Sequence, residues 1–279
     1  MRTLTADLPG GALHVYEWGE ADKPAVLYWD GVGGTGLHAN EIGPLLVEQG
    51  FRVIAPDPPG HGLSPPLPAD AYRSSGMAEM AARLLTGLGI EAVTFVGFSW
   101  GARVACAFAA GYPERTTSLV LVEGGIFELP PPDDLAARIA EAGQEREEES
   151  FDTWDDFFAF EAEGLRRWTD AVKEAHRAIM RVEAGRVVPI ASAEVVGGIA
   201  HGGRLEPVTD TYPAIARAQV PVLLIFAPRK GVQADSEPIA RFRAAVPQAR
   251  IEAIPDAIHD LISFAPERVA ALVGEFASA

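Results

Sequence analysis

Gly97-Phe98-Ser99-Trp100-Gly101 follows a short β-like run, Ala92-Val93-Thr94-Phe95-Val96, and opens an alanine-rich helical run from Gly101 to Ala110. The pentapeptide has the form G-x-S-x-G, which small-residue loops reproduce by chance. Its position between a strand and a helix is what gives it meaning, because that setting produces a tight, strained turn that exposes the serine hydroxyl. The flanking glycines remove side chains that would collide across the turn. The helix N-terminus beyond Ser99 supplies positive potential for a developing oxyanion. A strand–helix turn carrying an idle serine is the bland alternative, and the context weighs against it.

Outward from this turn, β-like runs alternate with helical spacing. Leu13–Tyr16, Ala25–Trp29 and Phe51–Ala55 read as strands before it, and Leu119–Val122, Val220–Phe226 and Arg250–Ile254 after it. Met77, Met80, Ala81, Leu84 and Leu88 form one stripe of a helix over Tyr72–Leu88. Further helices are expected over Ser236–Ala245 and over Pro266–Phe276, the latter with proline in its first turn. Such alternation implies a mostly parallel sheet covered on both faces. The rhythm stops between Ile126 and Gln219, where no clear buried strand is evident. There, Asp133 to Glu163 holds 12 carboxylates among Trp154, Phe157, Phe158 and Phe160, whose aromatic rings argue for a folded segment. The expected organisation is a core of residues 1–125 and 220–279 with a helical cap inserted at 126–219.

Composition narrows the partners. The 279 residues include 23 Lys and Arg against 39 Asp and Glu, a formal charge of −16. That balance disfavours nucleic acid and anionic membrane surfaces, which reward basic faces. A single cysteine, Cys106, permits neither an intrachain disulfide nor a thiolate metal cluster, and its apolar helical setting reads as a small buried hydrophobe. Met1–Gly19 holds no apolar run of signal-peptide length, and no stretch has the length and apolarity of a membrane helix. The expectation is a soluble, cytoplasmic protein with a small-molecule partner; oligomeric state is not encoded in any visible pattern.

With these motifs in place the chain resembles the α/β-hydrolase superfamily over nearly its whole length. Ala55-Pro56-Asp57-Pro58-Pro59-Gly60-His61-Gly62-Leu63-Ser64 is similar to a turn of that family, which makes Asp57 and His61 structural. His259, in Ala257-Ile258-His259-Asp260 after the last strand, stands where the family has its general base. A serine hydroxyl needs such an imidazole to take its proton. His14, His38, His61, His176 and His201 lack that position, although His38 could line the pocket. The family's His-Gly loop is replaced by Asp30-Gly31-Val32-Gly33-Gly34. The resemblance implies an oxyanion hole from the amides of Val32 and Trp100, with Gly31 and Gly33 beside the substrate. Asp30 would oppose an oxyanion, so its expected role is to hold the glycine loop.

The third triad member is less direct. The loop after Val222–Phe226, where most members carry the acid, reads Ala227-Pro228-Arg229-Lys230-Gly231-Val232 and offers two cations and no carboxylate. Asp235 comes several residues late, near a helix start that suggests an N-cap. Glu123, in Val122-Glu123-Gly124-Gly125, ends the previous strand, where certain dehalogenases and fungal zearalenone lactonases carry the acid. Glu123 is the preferred assignment and Asp235 the alternative.

Serine at the elbow argues against dehalogenases and epoxide hydrolases, which use aspartate there. It suits acyl transfer through an acyl-enzyme and implies no metal or organic cofactor. Asp-Gly for His-Gly, the displaced acid and the cap together resemble the zearalenone-lactonase branch; Tyr112-Pro113-Glu114-Arg115 also fits but is common in the superfamily. The implied activity is that of an ester or lactone hydrolase for a bulky, apolar, neutral substrate, with Trp100, Trp154, Phe157, Phe158 and Trp168 expected in its pocket, against the plainer reading that the cap aromatics pack a small core of their own. Two alternatives stand beside it. One is a proline iminopeptidase-like amidase whose cap carboxylates hold an ammonium. The other is a small-molecule-binding protein on a hydrolase scaffold.

Overall fold

A computed structural model describes residues 1–131, 133–229 and 231–278. Eight strands form one sheet: β1 (Arg2–Leu8), β2 (Gly11–Trp18), β3 (Ala25–Trp29), β4 (Arg52–Pro56), β5 (Val93–Phe98), β6 (Thr116–Val122), β9 (Val222–Phe226) and β10 (Arg250–Ala253). Their spatial order is β1-β2-β4-β3-β5-β6-β9-β10. Only the β1–β2 and β2–β4 pairings are antiparallel; all the others are parallel.

The central strands are buried on both faces, so successive side chains serve two cores. Leu27, Trp29, Phe95, Leu119, Leu121, Val222 and Leu224 join one cluster. Val26, Tyr28, Val96, Val120, Val122, Leu223 and Ile225 join the other. Helices α1 (Gly43–Glu48) and α11 (Pro266–Ala277), with the short α10 (Leu261–Phe264), cover the second face through Leu46, Val269, Leu272, Leu261 and Ile262. The first face is covered by α2 (Ser74–Gly87), α3 (Trp100–Gly111) and α9 (Glu237–Ala245) through Leu84, Val104, Phe108 and Phe242. Cys106 lies fully buried in this layer, where burial pushes its thiol up to about 12.

Between β6 and β9 run α4 (Leu135–Glu148), α5 (Trp154–Ala162), α6 (Asp170–Arg177), α7 (Ala193–Leu205) and α8 (Tyr212–Arg217). The absence of strand expected here is corrected by an antiparallel hairpin, β7 (Met180–Glu183) with β8 (Arg186–Pro189), which buries Val187 and Val188. Phe157, Met180 and Val187 make a small core of their own, flanked by Phe151, Trp154 and Phe158. Val208, Tyr212 and Ile215 instead join the core of the main sheet, so α8 packs with the sheet layer rather than with this outer cluster. Glycines let α7 lie directly on the chain before α2: a Cβ at Gly198 would collide with the Ala69 carbonyl, and one at Gly202 with that of Tyr72.

β3 lies between β4 and β5, so the chain leaves it toward one side of the sheet and later returns on the other. Crevices of parallel sheets open at such switch points, beyond the carboxyl ends of the strands. Trp29 pairs with Gly97, Phe98 with Val122, and Val122 with Ile225. The residues that follow, Asp30-Gly31, Ser99, Glu123 and Ala227, therefore emerge side by side.

Candidate active site

Ser99 is the N-cap of α3, with φ 52° and ψ −114°. A non-glycine residue in that region carries strain that only its surroundings can maintain. Here they do so by close approach. A Cβ at Gly97 would collide with the Gly101 carbonyl, and one at Gly101 with the carbonyl of Trp29. Glu123 also has a positive φ, 56°, and the next residue is pressed against the elbow, because a Cβ at Gly124 would meet the Ser99 carbonyl. Ser99 N–H donates to the Val122 carbonyl at 2.9 Å, and Glu123 N–H to that of Ile225 at 2.9 Å, which carries the ladder one residue past each strand.

Three side chains meet at this edge. His259 Nε2 is 3.1 Å from Ser99 Oγ, and His259 Nδ1 is 2.9 Å from Glu123 Oε2. The Glu123 side chain is fully buried, whereas that of His259 is 52% exposed. Two further donors satisfy the buried carboxylate: the Ala227 N–H at 2.5 Å to Oε1, and the Arg229 guanidinium at 2.5 Å to Oε2. The loop that lacks an acid thus supplies Glu123 with an amide and a cation. Sequence reasoning noted Arg229 but not this contact; Lys230, the second cation, lies outside the described residues. Asp235 is exposed, and the carboxylate that His259 Nδ1 meets is that of Glu123. The expectation that it caps α9 is corrected: Ser236 is the N-cap, without a side-chain cap bond, because the helix starts one residue later. A serine hydroxyl bonded to an imidazole whose other nitrogen is held by a buried carboxylate has the arrangement that makes serine nucleophilic.

The glycine loop closes the opposite side. The Asp30 carboxylate accepts from Gly31 N–H at 2.7 Å and from the Tyr28 hydroxyl at 3.1 Å. A Cβ at Gly31 would stand 3.0 Å from that of Ser99, so the loop passes directly over the serine. Gly33 N–H donates to His61 Nε2 at 3.0 Å, and His61 Nδ1 donates to the Pro59 carbonyl at 2.9 Å. Burial lowers the pKa of His61, which favours this neutral form, and its ring stacks on Trp100 at 6.0 Å. Asp57 accepts from the amides of Gly36 and Leu63 at 2.9 Å, and burial raises its carboxyl to about 6. Both residues thus make structural contacts. The amides of Val32 and Trp100 donate to no acceptor among the described residues.

A family profile described as "alpha/beta hydrolase fold" matches residues 24–266. The chain belongs to this family. It is 36% identical over 121 residues to a 2-hydroxy-6-oxo-6-phenylhexa-2,4-dienoate hydrolase of Comamonas testosteroni, which is 43% of this chain and 42% of that protein. It is 32% identical over 170 residues to a 2-hydroxy-6-oxononadienedioate/2-hydroxy-6-oxononatrienedioate hydrolase of Escherichia coli, 58% of each. The chain spans about half the length of the curated relatives it matches. Among solved structures it is similar to E-2-(acetamidomethylene)succinate hydrolase, with a TM-score of 0.79 at 23% identity, covering 100% of this chain and 99% of that one.

In this alpha/beta hydrolase, two lobes share Val32, Ser99 and His259. The first, about 350 Å³, includes Gly31, Gly33, Phe151, Phe157, Phe160 and His176 in its walls. The second, about 340 Å³, includes Trp100, Phe127, Ile199, Arg103, Arg204 and Arg229. Each falls in the size range of small-molecule sites. Trp154, Phe158 and Trp168, expected in the pocket, are not among the walls of either lobe. For Trp154 and Phe158 helical phase is the reason. Trp154 and Phe158, four apart on α5, stack at 5.6 Å beneath Arg177 and Lys173, and Phe158 packs on Trp168 at 6.1 Å. Phe157 and Phe160 turn the other stripe toward the cavity. Among the described residues no group of three or more His, Cys, Asp or Glu is placed to hold a metal ion, and no helix is long and apolar enough to cross a membrane.

Proposed function

We propose that the chain is a serine hydrolase that cleaves a carboxylic ester or lactone through an acyl-enzyme. The observation that carries this is the continuous hydrogen-bonded chain Glu123–His259–Ser99. Ser99 Oγ attacks the carbonyl carbon while His259 Nε2 takes its proton, and Glu123 holds Nδ1–H and stabilises the imidazolium. The carbonyl oxygen becomes an oxyanion facing the free amides of Val32 and Trp100. Collapse expels the alcohol, which receives the proton from His259. Water, deprotonated by the same imidazole, then releases the acid and restores Ser99.

The division into a core of residues 1–125 and 220–279 and a cap at 126–219 belongs to the same proposal. It is supported by the first lobe, whose walls combine Gly31 and Ser99 with Phe151, Phe157 and Phe160. A neutral macrolactone of the zearalenone type is the finest form of the proposal. Its support is the acid at the end of β6 together with Asp30-Gly31 before the elbow. A second reading, hydrolysis of an oxo-dienoate acid of the kind named for the relatives, is favoured by Arg103, Arg204 and Arg229 around the second lobe.

The test is turnover by the purified protein of p-nitrophenyl esters, a zearalenone-type macrolactone, an oxo-dienoate and an aminoacyl-proline analogue. Ester and lactone turnover with none of the other two is the expected result. Turnover of the dienoate alone would replace this reading by the second, and turnover of the aminoacyl-proline analogue alone would make the chain an amidase.

A further inference from the structure

His38 stands outside the chemistry described so far, yet it lies between two loops on which that chemistry depends. The glycine loop leaves β3 and carries the Val32 amide; the turn after β10 carries His259. These loops are more than 200 residues apart in sequence, and no backbone hydrogen bond joins them among the described residues. The His38 ring, 13% exposed, lies between them. Its Nδ1 is 3.2 Å from Asp30 Oδ1, and its Nε2 is 3.1 Å from Asp260 Oδ1. Asp30 is the residue whose carboxylate also takes the Gly31 amide, and Asp260 is the direct neighbour of His259.

We propose that His38 is a positioning residue that braces the oxyanion loop against the histidine turn, and so fixes the distance between the oxyanion donor and the base. The inference rests on the roles given above to Val32 and His259. Ionised carboxylates accept only, so an imidazole that donates to both Asp30 and Asp260 carries a proton on each nitrogen. The groups facing the ring agree. Tyr28 OH from β3 is 3.2 Å from Nδ1 but donates to Asp30, and Ser263 Oγ from α10 is 3.1 Å from Nε2. Phe98 from β5 presents an edge-on contact at 5.5 Å, and Phe98 also packs on His259 at 5.2 Å. His176 from α6 lies 6.4 Å away, with its own Nδ1 on Glu161 at 2.6 Å. Burial alone would lower the His38 pKa, but Asp260 and Asp30 together raise it well above the ordinary imidazole value. Burial alone would likewise raise the Asp260 carboxyl, and His38 with Ser263 holds it below the usual carboxylate range.

The sign follows from the raised value. The brace is intact at and below the usual imidazole range and is lost as pH rises through the raised His38 pKa. The loss appears on the alkaline side and in kcat, because the groups misplaced are those of the transition state.

Two measurements test it. The first is ¹⁵N NMR of the histidine rings of the intact protein at pH 8, where ring 38 is expected to be protonated on both nitrogens. A neutral ring at pH 8 would overturn the brace, and this readout holds whether or not Ser99 is the nucleophile. The second is the pH–rate profile of His38→Gln with a small ester. Its kcat should fall by about 10–100-fold with KM changed by less than about twofold, the signature of misplaced reacting groups. The alkaline limb present in the native protein should be absent. Wild-type kcat and an unchanged profile would overturn the proposal. If His38→Gln does not fold, Asp260→Asn removes one end of the brace and should give the same split, and wild-type kinetics in that variant would count equally against it.

Discussion

Around Ser99 the backbone itself sets the geometry, whereas around Phe160 the chain relies on side chains resting against solvent. The elbow, Glu123 and the glycine loop continue three adjacent strands, and collisions that a single Cβ would cause fix their approach. In the stretch between β6 and β9, a few rings and ion pairs hold short helices together, and Phe160 remains 60% exposed while lining the first lobe. Under the proposed mechanism the contrast separates the reacting atoms from the recognition surface, which can be re-cut without dismantling the sheet. Substitutions in the first region should abolish turnover or folding, and those in the second should change which substrate is accepted.

The sharpest test of that division is Ser99→Ala. It should lower kcat by roughly 10⁶-fold, leaving a residue of oxyanion-hole and binding catalysis. Its melting temperature should not fall. Near-native activity in the purified variant would remove the serine mechanism. Next in size, Glu123→Gln should cost about 10⁴ in kcat, because a neutral amide can hold the wrong His259 tautomer. Asp235→Asn should leave kcat within about twofold, since catalysis depends on groups that contact the reacting centre or orient those that do. The reverse pattern would reassign the triad acid.

Gly124→Ala tests the backbone side of the contrast directly. The new methyl would press on the Ser99 carbonyl, costing about 3 kcal/mol and about 5–10 °C in melting temperature. Unchanged stability would mean that the elbow yields more readily than its packing implies. The smallest effects belong to the outer wall. Phe160→Ala should raise KM for a bulky ester by about fivefold, the equivalent of one partly buried ring face, with p-nitrophenyl acetate unaffected. Trp154→Ala should instead lower the melting temperature and leave both KM values alone. An identical KM profile for the two variants would erase the distinction between pocket and packing on α5.

The same boundary separates what could be read in the sequence from what could not. The elbow turn was legible because its glycines answer to local geometry, and the pairing of Glu123 with His259 because the loop after β9 contains no carboxylate. Leu4, Ala6 and Leu8 alternate along β1 as an edge strand should, a signal present in the sequence that the strand assignment passed over. The orientation of Trp154 and Phe158 was not legible. Helix α5 carries apolar rings on more than one stripe, so periodicity alone does not say which stripe meets the cavity. Arg229 on Glu123 and His38 between Asp30 and Asp260 were beyond reach for another reason. Each joins loops from distant parts of the chain, and no spacing rule connects residues 222 apart.

Ser99 and Glu123 are two of five described non-glycine residues with a positive φ. Replacing Ser99 by glycine would relieve about 1–2 kcal/mol of that strain while deleting the hydroxyl. A library of this protein screened for heat resistance alone should therefore enrich Ser99→Gly and drift toward a sturdier, inert chain. Selection that spares the elbow must impose turnover in every round, or forbid glycine at position 99 from the outset.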